Sequence, residues 1–290
     1  MSIPKPVILD ISEHQVPSGI NYDNLAKSID GAIVRIQFGS RYIDKHYKTH
    51  ISELQKRGIP VAVYAWIRGI NKADMEQEAK DFYNRAKAYN PVMWWLDVEE
   101  RSMGDMRGGT EAYRNKLKSL GAKKVGVYVA NHLYSQFNLD MSKFDGIWIP
   151  TYGSNSGQYN GSNPTATSNY NLHQYTSNGR LAGYNGPLDL SRIAKGKFSD
   201  FFGTTTASNP STPTGGKIKM KTLKLNTAVK LRRSASTSAG VIATLPAGTK
   251  IKFDDVVIAG GYIWAVQPRT DNFKKGYIAI GKIDAYGSVC

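Results

Sequence analysis

Short apolar runs alternate with amphipathic segments through the first half of the chain. Helical spacing of apolar side chains predicts helices over residues 44–57, after the N-capping Asn71, and over 110–120. Each helix lies between two apolar runs that are short enough to be buried strands, at residues 7–12, 31–38, 59–66, 91–100 and 124–129. This repeated order predicts a parallel sheet that is covered by helices and closed into a barrel.

The alternation stops in the next part of the chain. Residues 146–150, 171–175 and 187–190 again predict strands, but the segments that join them are rich in Gly, Ser, Asn and Thr. We therefore expect long loops there instead of helices. The predicted fold class for residues 1–202 is α/β, an irregular TIM-like (β/α) barrel with few helices in its second half.

The pattern changes once more after residue 202. Residues 203–216 contain no charge and no large apolar side chain, which predicts a linker that is semi-extended at its prolines. Residues 217–290 then show short strand segments, with Gly260-Gly261 as the signal of a hairpin turn. We expect this last part to fold as a small all-β barrel.

The predicted strand over residues 91–100 is an apolar run that ends in acid. Side chains alternate between the two faces of a strand, so Asp97 and Glu99 share one face with Trp95. A two-residue step separates their Cα atoms by roughly 6.6 Å. Like charges at this distance beside tryptophan favour a raised pKa for one carboxyl group and ionisation of the other. The alternative is a strand that ends in a solvated acidic turn.

Further acidic and aromatic residues fall at predicted strand ends. In a parallel barrel these ends meet at one mouth, where the active site lies. Aromatic faces stack on sugar rings, and carboxyl groups bind hydroxyl groups or transfer protons. The pattern therefore predicts a sugar-binding cleft that contains Asp10, Asp97, Glu99 and Asp189, surrounded by Tyr64, Trp66, Tyr128, Tyr152 and Tyr175.

Composition and charge narrow the classes of function. The single cysteine, Cys290, excludes a disulfide framework and a cysteine-based metal site, and the five histidines show no ligand pair on one helix face. The net charge is +15, of which residues 217–290 supply +9, from 13 Lys and Arg against 4 Asp and Glu. Such an excess favours a polyanion: nucleic acid, an anionic membrane surface or an anionic wall polymer.

Five short motifs follow one another between about residue 7 and residue 193. They are Leu9-Asp10-Ile11-Ser12 with Gln15, Leu96-Asp97-Val98-Glu99, Trp148-Ile149-Pro150-Thr151-Tyr152-Gly153, Gln174-Tyr175-Thr176-Ser177 with Gly179, and Leu188-Asp189-Leu190. Together they resemble the motifs of glycoside hydrolase family 25, the N-acetylmuramidases often used as bacteriophage endolysins. The sequence departs from the family pattern at three places. It has Tyr64-Ala65-Trp66 where the family commonly has a Tyr-His pair, His173 where a tryptophan commonly precedes the Gln-Tyr pair, and Ser191 where the last motif commonly ends in Asn.

The resemblance implies an enzyme that hydrolyses the β-1,4 bond from N-acetylmuramic acid to N-acetylglucosamine in peptidoglycan. Glu99 matches the general acid, and Asp97 matches the residue that assists the substrate's 2-acetamido group as it attacks the anomeric carbon. Asp10 and Asp189 match the remaining acids of the site. The estimated 6.6 Å lies between the carboxyl separations of retaining and inverting enzymes, roughly 5.5 and 6.5 Å or more, so spacing leaves the stereochemical outcome open.

The resemblance also implies which residues bind substrate and which partners the chain has. We expect no metal and no cofactor, a monomer, and substrate contacts from Tyr64, Trp66, Tyr128, Tyr152, Gln174 and Tyr175. Residues 217–290 resemble a bacterial SH3-like wall-binding domain, whose ligand would be teichoic acid or the peptide part of peptidoglycan. Residues 1–6 lack the apolar core of a secretory signal, and no apolar run is long enough for a membrane span. We therefore expect a phage enzyme that is made in the host cytoplasm and acts on the cell wall after release.

Two other functions compete with the hydrolase. A glycan-binding protein on a disabled barrel would lack the acid, whereas Glu99 is present. A nucleic-acid binder is suggested by charge alone, and the basic excess lies outside the acid-lined barrel. We therefore expect no nucleic-acid partner.

Overall fold

The computed structural model describes residues 3–203, 221–269 and 275–282. The chain divides into two compact units, Met1–Ala207 and Ser208–Cys290. Apart from Gly203, the predicted linker at 203–216 lies outside the described residues, so its conformation stays a prediction. In the described part of the chain, no helix combines the length and apolar character needed to cross a membrane.

A closed ring of strands forms the centre of the first unit. Its sheet order is β1-β9-β8-β7-β6-β5-β4-β2, and β1 also pairs with β2, so eight strands close on themselves as predicted. A ninth strand, β3, pairs with β2 alone. The bounds are β1 Ile8–Ile11, β2 Gly31–Phe38, β3 Tyr42–Ile43, β4 Val61–Trp66, β5 Trp94–Val98, β6 Val125–Val129, β7 Ile147–Pro150, β8 Leu172–Gly179 and β9 Leu188–Ile193.

The last strand of the ring corrects the prediction of an all-parallel sheet. β9 runs antiparallel to both of its neighbours, β8 and β1. Only residues 180–187 join β8 to β9, and a parallel return needs a crossover of a dozen residues or more. Asp189 is therefore near the start of its strand and not at the end. Because that strand is reversed, its start lies at the mouth where the parallel strands finish.

The helices lie mainly in the first half of the barrel. The three predicted helices form as α2 to α4, and the Asn71 side chain caps α3 by accepting a hydrogen bond from the Asp74 backbone N–H. The predicted loop between β7 and β8 contains no helix. The bounds are α1 Tyr22–Ser28, α2 Tyr47–Lys56, α3 Lys72–Ala86, α4 Met106–Leu120, α5 Tyr134–Phe137 and α6 Phe198–Phe202, with short 3-10 turns at Pro17–Gly19, Lys87–Tyr89 and Met141–Lys143.

Two apolar layers stabilise the barrel, one outside the strands and one inside, and the adjacent residues Trp94 and Trp95 belong to different layers. Trp94 points outward, where its ring stacks on Tyr83 and meets the edge of Phe82 from α3. Trp95 points into the barrel and packs against Trp148 and Phe201. The alternation of faces along β5 therefore assigns one tryptophan to each layer.

The end of the barrel opposite the cleft is closed by α6. Its Phe201 and Phe202 are buried with the interior cluster. Phe202 lies against Gly31 at the start of β2, and Phe201 lies against Gly146, just before β7. These contacts close the barrel from below and leave the mouth at the strand ends as its open side.

The described residues of the second unit form strands and their connections only, which agrees with the predicted all-β class. Its described strands form a two-stranded sheet, β10-β13, and a five-stranded sheet, β12-β11-β16-β15-β14. Gly260 and Gly261 connect β14 to β15 and both have positive φ, which a two-residue hairpin turn of type I′ requires. The bounds are β10 Lys221–Lys224, β11 Val229–Arg232, β12 Val241–Leu245, β13 Lys250–Phe253, β14 Asp255–Ala259, β15 Tyr262–Pro268 and β16 Lys275–Lys282.

The strands β13 and β14 are separated by a single residue but belong to different sheets. Residues 250–257 divide at Asp254, whose backbone N–H bonds to Val266 in the larger sheet, whereas β13 pairs with β10. The likeness to an SH3 domain stays a prediction.

Close packing of the barrel interior makes one glycine sensitive to substitution. A Cβ atom on Gly126 would lie 2.4 Å from the Trp95 ring and 2.7 Å from Met93. We expect Gly126→Ala to lower the free energy of unfolding by about 1–3 kcal/mol, because overpacking forces these side chains to shift. Chemical denaturation followed by near-ultraviolet circular dichroism measures the change.

The matched control is Gly104→Ala. Nothing lies within 4 Å of a Cβ at Gly104. Its free energy of unfolding should change by less than about 0.5 kcal/mol. Equal stability of the two variants would contradict the packing described for Trp95.

Candidate active site

A cleft of about 220 Å³ opens at the mouth of the barrel. It contains the four predicted acids and every predicted aromatic contact except Tyr175. Its lining residues are Asp10, Ser12, His14, Arg35, Tyr64, Trp66, Asp97, Glu99, Tyr128, Trp148, Tyr152, Gln174 and Asp189.

Strand register brings the acids together. Asp10 on β1 lies directly across from Asp189 on the antiparallel β9. Asp97 on β5 has Trp66 of β4 on one side and Tyr128 of β6 on the other. Glu99 follows one residue after β5 ends, so it lies above Asp97 on the same face. Two separate strand pairings thus place the four carboxyl groups around one opening.

Gln174 links the acids to the aromatic wall. Its side-chain N–H donates to Asp10 Oδ2 at 3.0 Å, while its Oε1 accepts from Tyr128 at 3.0 Å and from Tyr152 at 2.7 Å. The side chain is 2% exposed. The amide therefore fixes two phenol groups and one carboxylate in a single buried network.

Asp97 and Glu99 form a coupled pair. Burial raises the pKa of Asp97 well above its ordinary value, and repulsion from Glu99 raises it further. Burial also raises the pKa of Glu99, although the hydrogen bond that it accepts from Asp97 lowers it. These shifts favour a hydrogen bond in which Asp97 donates and Glu99 accepts, so the two carboxyl groups titrate as a pair. Asp97 Oδ1 is buried and has no hydrogen-bond partner among the described residues.

Ionisation of the other two acids, Asp10 and Asp189, is also unfavourable. Burial and repulsion from Asp189 raise the pKa of Asp10, which hydrogen bonding by Tyr64 and the charge of Arg35 partly offset. Burial and repulsion from Glu99 raise the pKa of Asp189 to about 6. The site thus combines acids that differ in their readiness to hold a proton near neutral pH.

Arg35 is a site residue that our sequence analysis did not single out. It is 8% exposed, lines the cleft, and donates from Nε to Asp44 Oδ2 at 3.1 Å. Its positive charge lowers the pKa of both Asp10 and Asp97. The available signal was a lone charge in the largely apolar run Gly31–Phe38, which is unusual for a buried strand.

Tyr175 corrects the predicted set of substrate contacts. It is 1% exposed, points outward into the outer apolar layer and packs against Tyr159 and His173. Its hydroxyl group has no hydrogen-bond partner among the described residues. Neighbouring residues on a strand face opposite sides, so Gln174 and Tyr175 could not both enter the cleft.

Two of the departures from the family pattern have local partners here. His173 is fully buried, with Nε2 at 2.8 Å from the Thr151 carbonyl oxygen and Nδ1 accepting from Arg192. Ser191 accepts a hydrogen bond from Trp148 Nε1 at 3.0 Å. Both residues support the cleft from behind.

Trp66, which ends the departing run Tyr64-Ala65-Trp66, forms one wall of the cleft. Its Nε1 donates to Glu100 at 3.1 Å, and Glu100 also pairs with Arg68 at 2.6 Å. Glu100 faces a neighbouring cavity and not the acid cluster. This anchoring holds the Trp66 ring beside the acids.

Across the described ranges, no group of three His, Cys, Asp or Glu is arranged to hold a metal ion.

Comparison with known proteins identifies the family. The model of the glycosyl hydrolases family 25 matches residues 9–184, which contain Asp10, Asp97, Glu99 and Gln174. A comparison with curated protein sequences finds no match.

Several solved structures are similar to the barrel. GHIP, a glycosyl hydrolase 25 of Streptococcus pneumoniae described as a virulence factor in host cell invasion, is 44% identical over 68% of this chain and 93% of its own, with a TM-score of 0.66. The catalytic domain of endolysin ply40, from bacteriophage P40 of Listeria monocytogenes, is 25% identical over 70% of this chain and 98% of its own, with a TM-score of 0.63.

A third structure contains a bound ligand. It is the modular autolysin LytC of Streptococcus pneumoniae in complex with a synthetic peptidoglycan ligand, which is 28% identical over 64% of this chain and 46% of its own, with a TM-score of 0.53. The family match and the extent of identity to GHIP, joined to the acid-lined cleft, establish that this chain belongs to glycosyl hydrolase family 25 and is a glycoside hydrolase.

Proposed function

We propose that the barrel is an N-acetylmuramidase, a lysozyme that hydrolyses the β-1,4 bond between N-acetylmuramic acid and N-acetylglucosamine in bacterial peptidoglycan. The observation that carries the proposal is the coupled pair Asp97 and Glu99 at the open mouth of the barrel. The similar endolysin and the autolysin with its peptidoglycan ligand support the choice of polymer. All four acids line the cleft, which favours catalysis over a barrel that only binds glycan.

Glu99 is the general acid in this proposal. It is the less buried member of the pair and lies just beyond the end of β5, where a glycosidic oxygen can approach it. Burial raises its pKa, which favours the protonated form that a general acid needs. Protonation of the leaving oxygen allows the bond to the anomeric carbon to break.

Asp97 positions the 2-acetamido group of the substrate, which supplies the nucleophile in this proposal. Asp97 lines the cleft, where its carboxylate can accept the N–H of the 2-acetamido group and so direct the acetamido oxygen to the anomeric carbon. Accepting this bond favours the ionised form of Asp97, so the shared proton moves to Glu99 as substrate binds. After the leaving group departs, Glu99 removes a proton from water, and the water oxygen attacks the anomeric carbon and releases the acetamido oxygen.

The other cleft residues bind and orient the sugar. Asp10 and Asp189 face its polar groups, and their charges influence the coupled pair. The remaining contacts come from Tyr64, Trp66, Tyr128, Tyr152 and Gln174, of which the Gln174 network keeps the two phenol groups in place.

The second unit delivers the enzyme to the wall in this proposal. A wall-binding module raises the effective concentration of substrate at the tethered cleft. The excess of +9 in residues 217–290 fits an anionic wall polymer. The proposal includes a monomeric phage enzyme that is made in the host cytoplasm and reaches the wall after release.

Removal of the acid tests the catalytic assignment. Glu99→Gln should reduce the clearing of a suspension of purified Gram-positive cell walls by at least about 100-fold, because a positioned acid contributes 10²–10⁴-fold. The matched control is Glu100→Gln, the same chemical change one residue along and outside the cleft. Its amide oxygen can still accept the hydrogen bond from Trp66, so this variant should keep more than about a tenth of the activity. Equal clearing by wild type and Glu99→Gln would contradict the assignment.

The bond that is cleaved is tested on the same digests. Mass spectrometry of the wall fragments should show new reducing ends on muramic acid. Reducing ends on glucosamine, or peptides freed from the glycan, would replace the muramidase with another class of wall hydrolase.

The pH dependence of stability tests the buried acids. The pKa of Asp189 is about 6 in the fold and about 4 in an unfolded chain, so its ionisation opposes folding. This contribution to stability is complete below about pH 4 and is lost as the pH rises through 6. Asp189→Asn should therefore raise the free energy of unfolding by up to about 2–3 kcal/mol at pH 7 and hardly at pH 3.5. Urea denaturation at both pH values measures it.

A control separates this effect from a general change of charge. Asp81→Asn on the surface of α3, where Asp81 accepts from Gln77, should change stability equally at both pH values. A stabilisation of Asp189→Asn that is the same at pH 3.5 and pH 7 would contradict the buried-acid interpretation.

Two tyrosine variants distinguish residues of the cleft from residues of the outer apolar layer. Tyr128→Phe removes a hydrogen bond to Gln174 and should lower kcat/KM by roughly 10-fold, about 1.4 kcal/mol. Tyr175→Phe removes only an unpartnered hydroxyl group, so kcat/KM should stay within twofold and the unfolding temperature should not fall. A loss of activity in Tyr175→Phe as large as in Tyr128→Phe would restore Tyr175 as a substrate contact.

A further inference from the structure

The outward face of the β10-β13 sheet presents three lysines, and neither of its two described strands contains an acid. Lys224 lies directly opposite Lys250, and Lys252 lies opposite Thr222. All four side chains are exposed. None of the ion pairs found among the described residues includes these lysines.

The opposite face of the same two strands is committed to the core. Leu223 and Leu225 pack with Ile251 in the apolar cluster of the second unit. Because side chains alternate along a strand, this packing fixes the three lysines on the other face. The register therefore cannot slip to separate the charges without exposing the core residues.

This arrangement opposes folding. Cross-strand neighbours have Cβ atoms about 4.5–5.5 Å apart, and diagonal neighbours about 7–8 Å, so Lys224 repels both Lys250 and Lys252. Like charges placed directly opposite each other destabilise a sheet. A ligand that neutralises the lysines would remove this repulsion, and such a ligand must carry several negative charges.

We propose that this lysine face, consisting of Lys224, Lys250, Lys252 and the intervening Thr222, binds a linear poly(polyol phosphate) wall polymer of the teichoic acid type. Lys250 and Lys252 are two residues apart, or roughly 6.8 Å along the strand, so successive phosphate groups of one chain can contact them in turn. The proposal rests on the proposed action of the enzyme at the cell wall. It gives a role to three of the lysines that contribute to the positive excess of residues 217–290.

The chemistry of the face favours such a polymer over nucleic acid. Binding of single-stranded nucleic acid combines basic side chains with aromatic rings on which bases stack. The lysine face contains a threonine hydroxyl group among its lysines and no aromatic side chain. A polymer of phosphate and polyol groups needs only cations and hydrogen-bonding groups.

The test uses the full chain with Glu99→Gln, so that the wall is not digested during binding. Retention on purified walls and affinity for isolated poly(glycerol phosphate) teichoic acid are measured at 150 mM salt. Adding Lys224→Gln and Lys250→Gln should weaken both by at least about tenfold. The slope of log K against log salt should also decrease by roughly 0.7 for each lysine removed, the value for single-stranded polyanions.

The matched control removes the same charge elsewhere in the unit. Lys230 on β11 and Lys275 on β16 are exposed and lie opposite the neutral residues Thr244 and Pro268. Lys230→Gln with Lys275→Gln should weaken retention by less than twofold. Equal losses in the two double variants would overturn the proposal, because binding would then depend on net charge and not on this face.

Thermal unfolding distinguishes a binding role from a structural one. Loss of repulsion should leave the unfolding temperature of the Lys224→Gln, Lys250→Gln variant unchanged or higher, while its binding falls. A lower unfolding temperature would contradict the repulsion inferred from the register. In that case Lys250→Gln alone, with an unchanged unfolding temperature, repeats the binding comparison against Lys230→Gln.

Two further outcomes would overturn the choice of ligand. Equal retention on walls before and after extraction of teichoic acid with hydrofluoric acid would assign binding to peptidoglycan itself. Binding of DNA at 150 mM salt as tight as that of teichoic acid would show a polyanion site without this selectivity. Neither result depends on hydrolysis, so clearing of walls by the wild type would still stand as the separate test of the muramidase.

Discussion

The burial of four carboxyl groups around one opening is the constraint on which the catalytic barrel depends. Each ionised acid disfavours ionisation of its neighbours, and burial strengthens this coupling. The fold offsets the cost in three ways: Arg35 supplies a positive charge, Gln174 donates to Asp10, and Asp97 shares a proton with Glu99. Burial and mutual repulsion make the ionised acids unfavourable in the fold and raise their pKa values. The same raised pKa values enable the acids to exchange protons near neutral pH.

The rigidity of the site comes from the apolar layers beneath and around it. Trp95 and Trp148 fill the interior below the acids, and Phe201 closes the far end. The aromatic wall is held by hydrogen bonds from behind, through Ser191 to Trp148 and through Glu100 to Trp66. Substrate therefore meets side chains whose positions are set before it arrives, which reduces the ordering required in the transition state.

Much of the barrel could be predicted from sequence because its strands are buried on both faces and read as continuous apolar runs. Asp97 and Glu99 could be placed together because two residues on one short strand share a face. Other features depend on long-range partners. The reversed direction of β9 depends on its pairing with β1, and Arg35 is recognisable as a site residue only once Asp10 and Asp97 lie near it. The prediction that Tyr175 contacts substrate was wrong because it treated Gln174 and Tyr175 as one motif. Neighbouring residues on a strand face opposite sides, so only Gln174 enters the cleft.

The reversed last strand has an architectural consequence for the chain as a whole. Because β9 starts at the mouth, the polypeptide completes the ring while travelling away from the acids, and α6 then packs at the opposite end. Gly203 therefore leaves the barrel on the side remote from the cleft. The residues at which the chain leaves the barrel therefore take no part in lining the cleft, so the reversal of a single strand keeps the exit of the polypeptide apart from the catalytic rim.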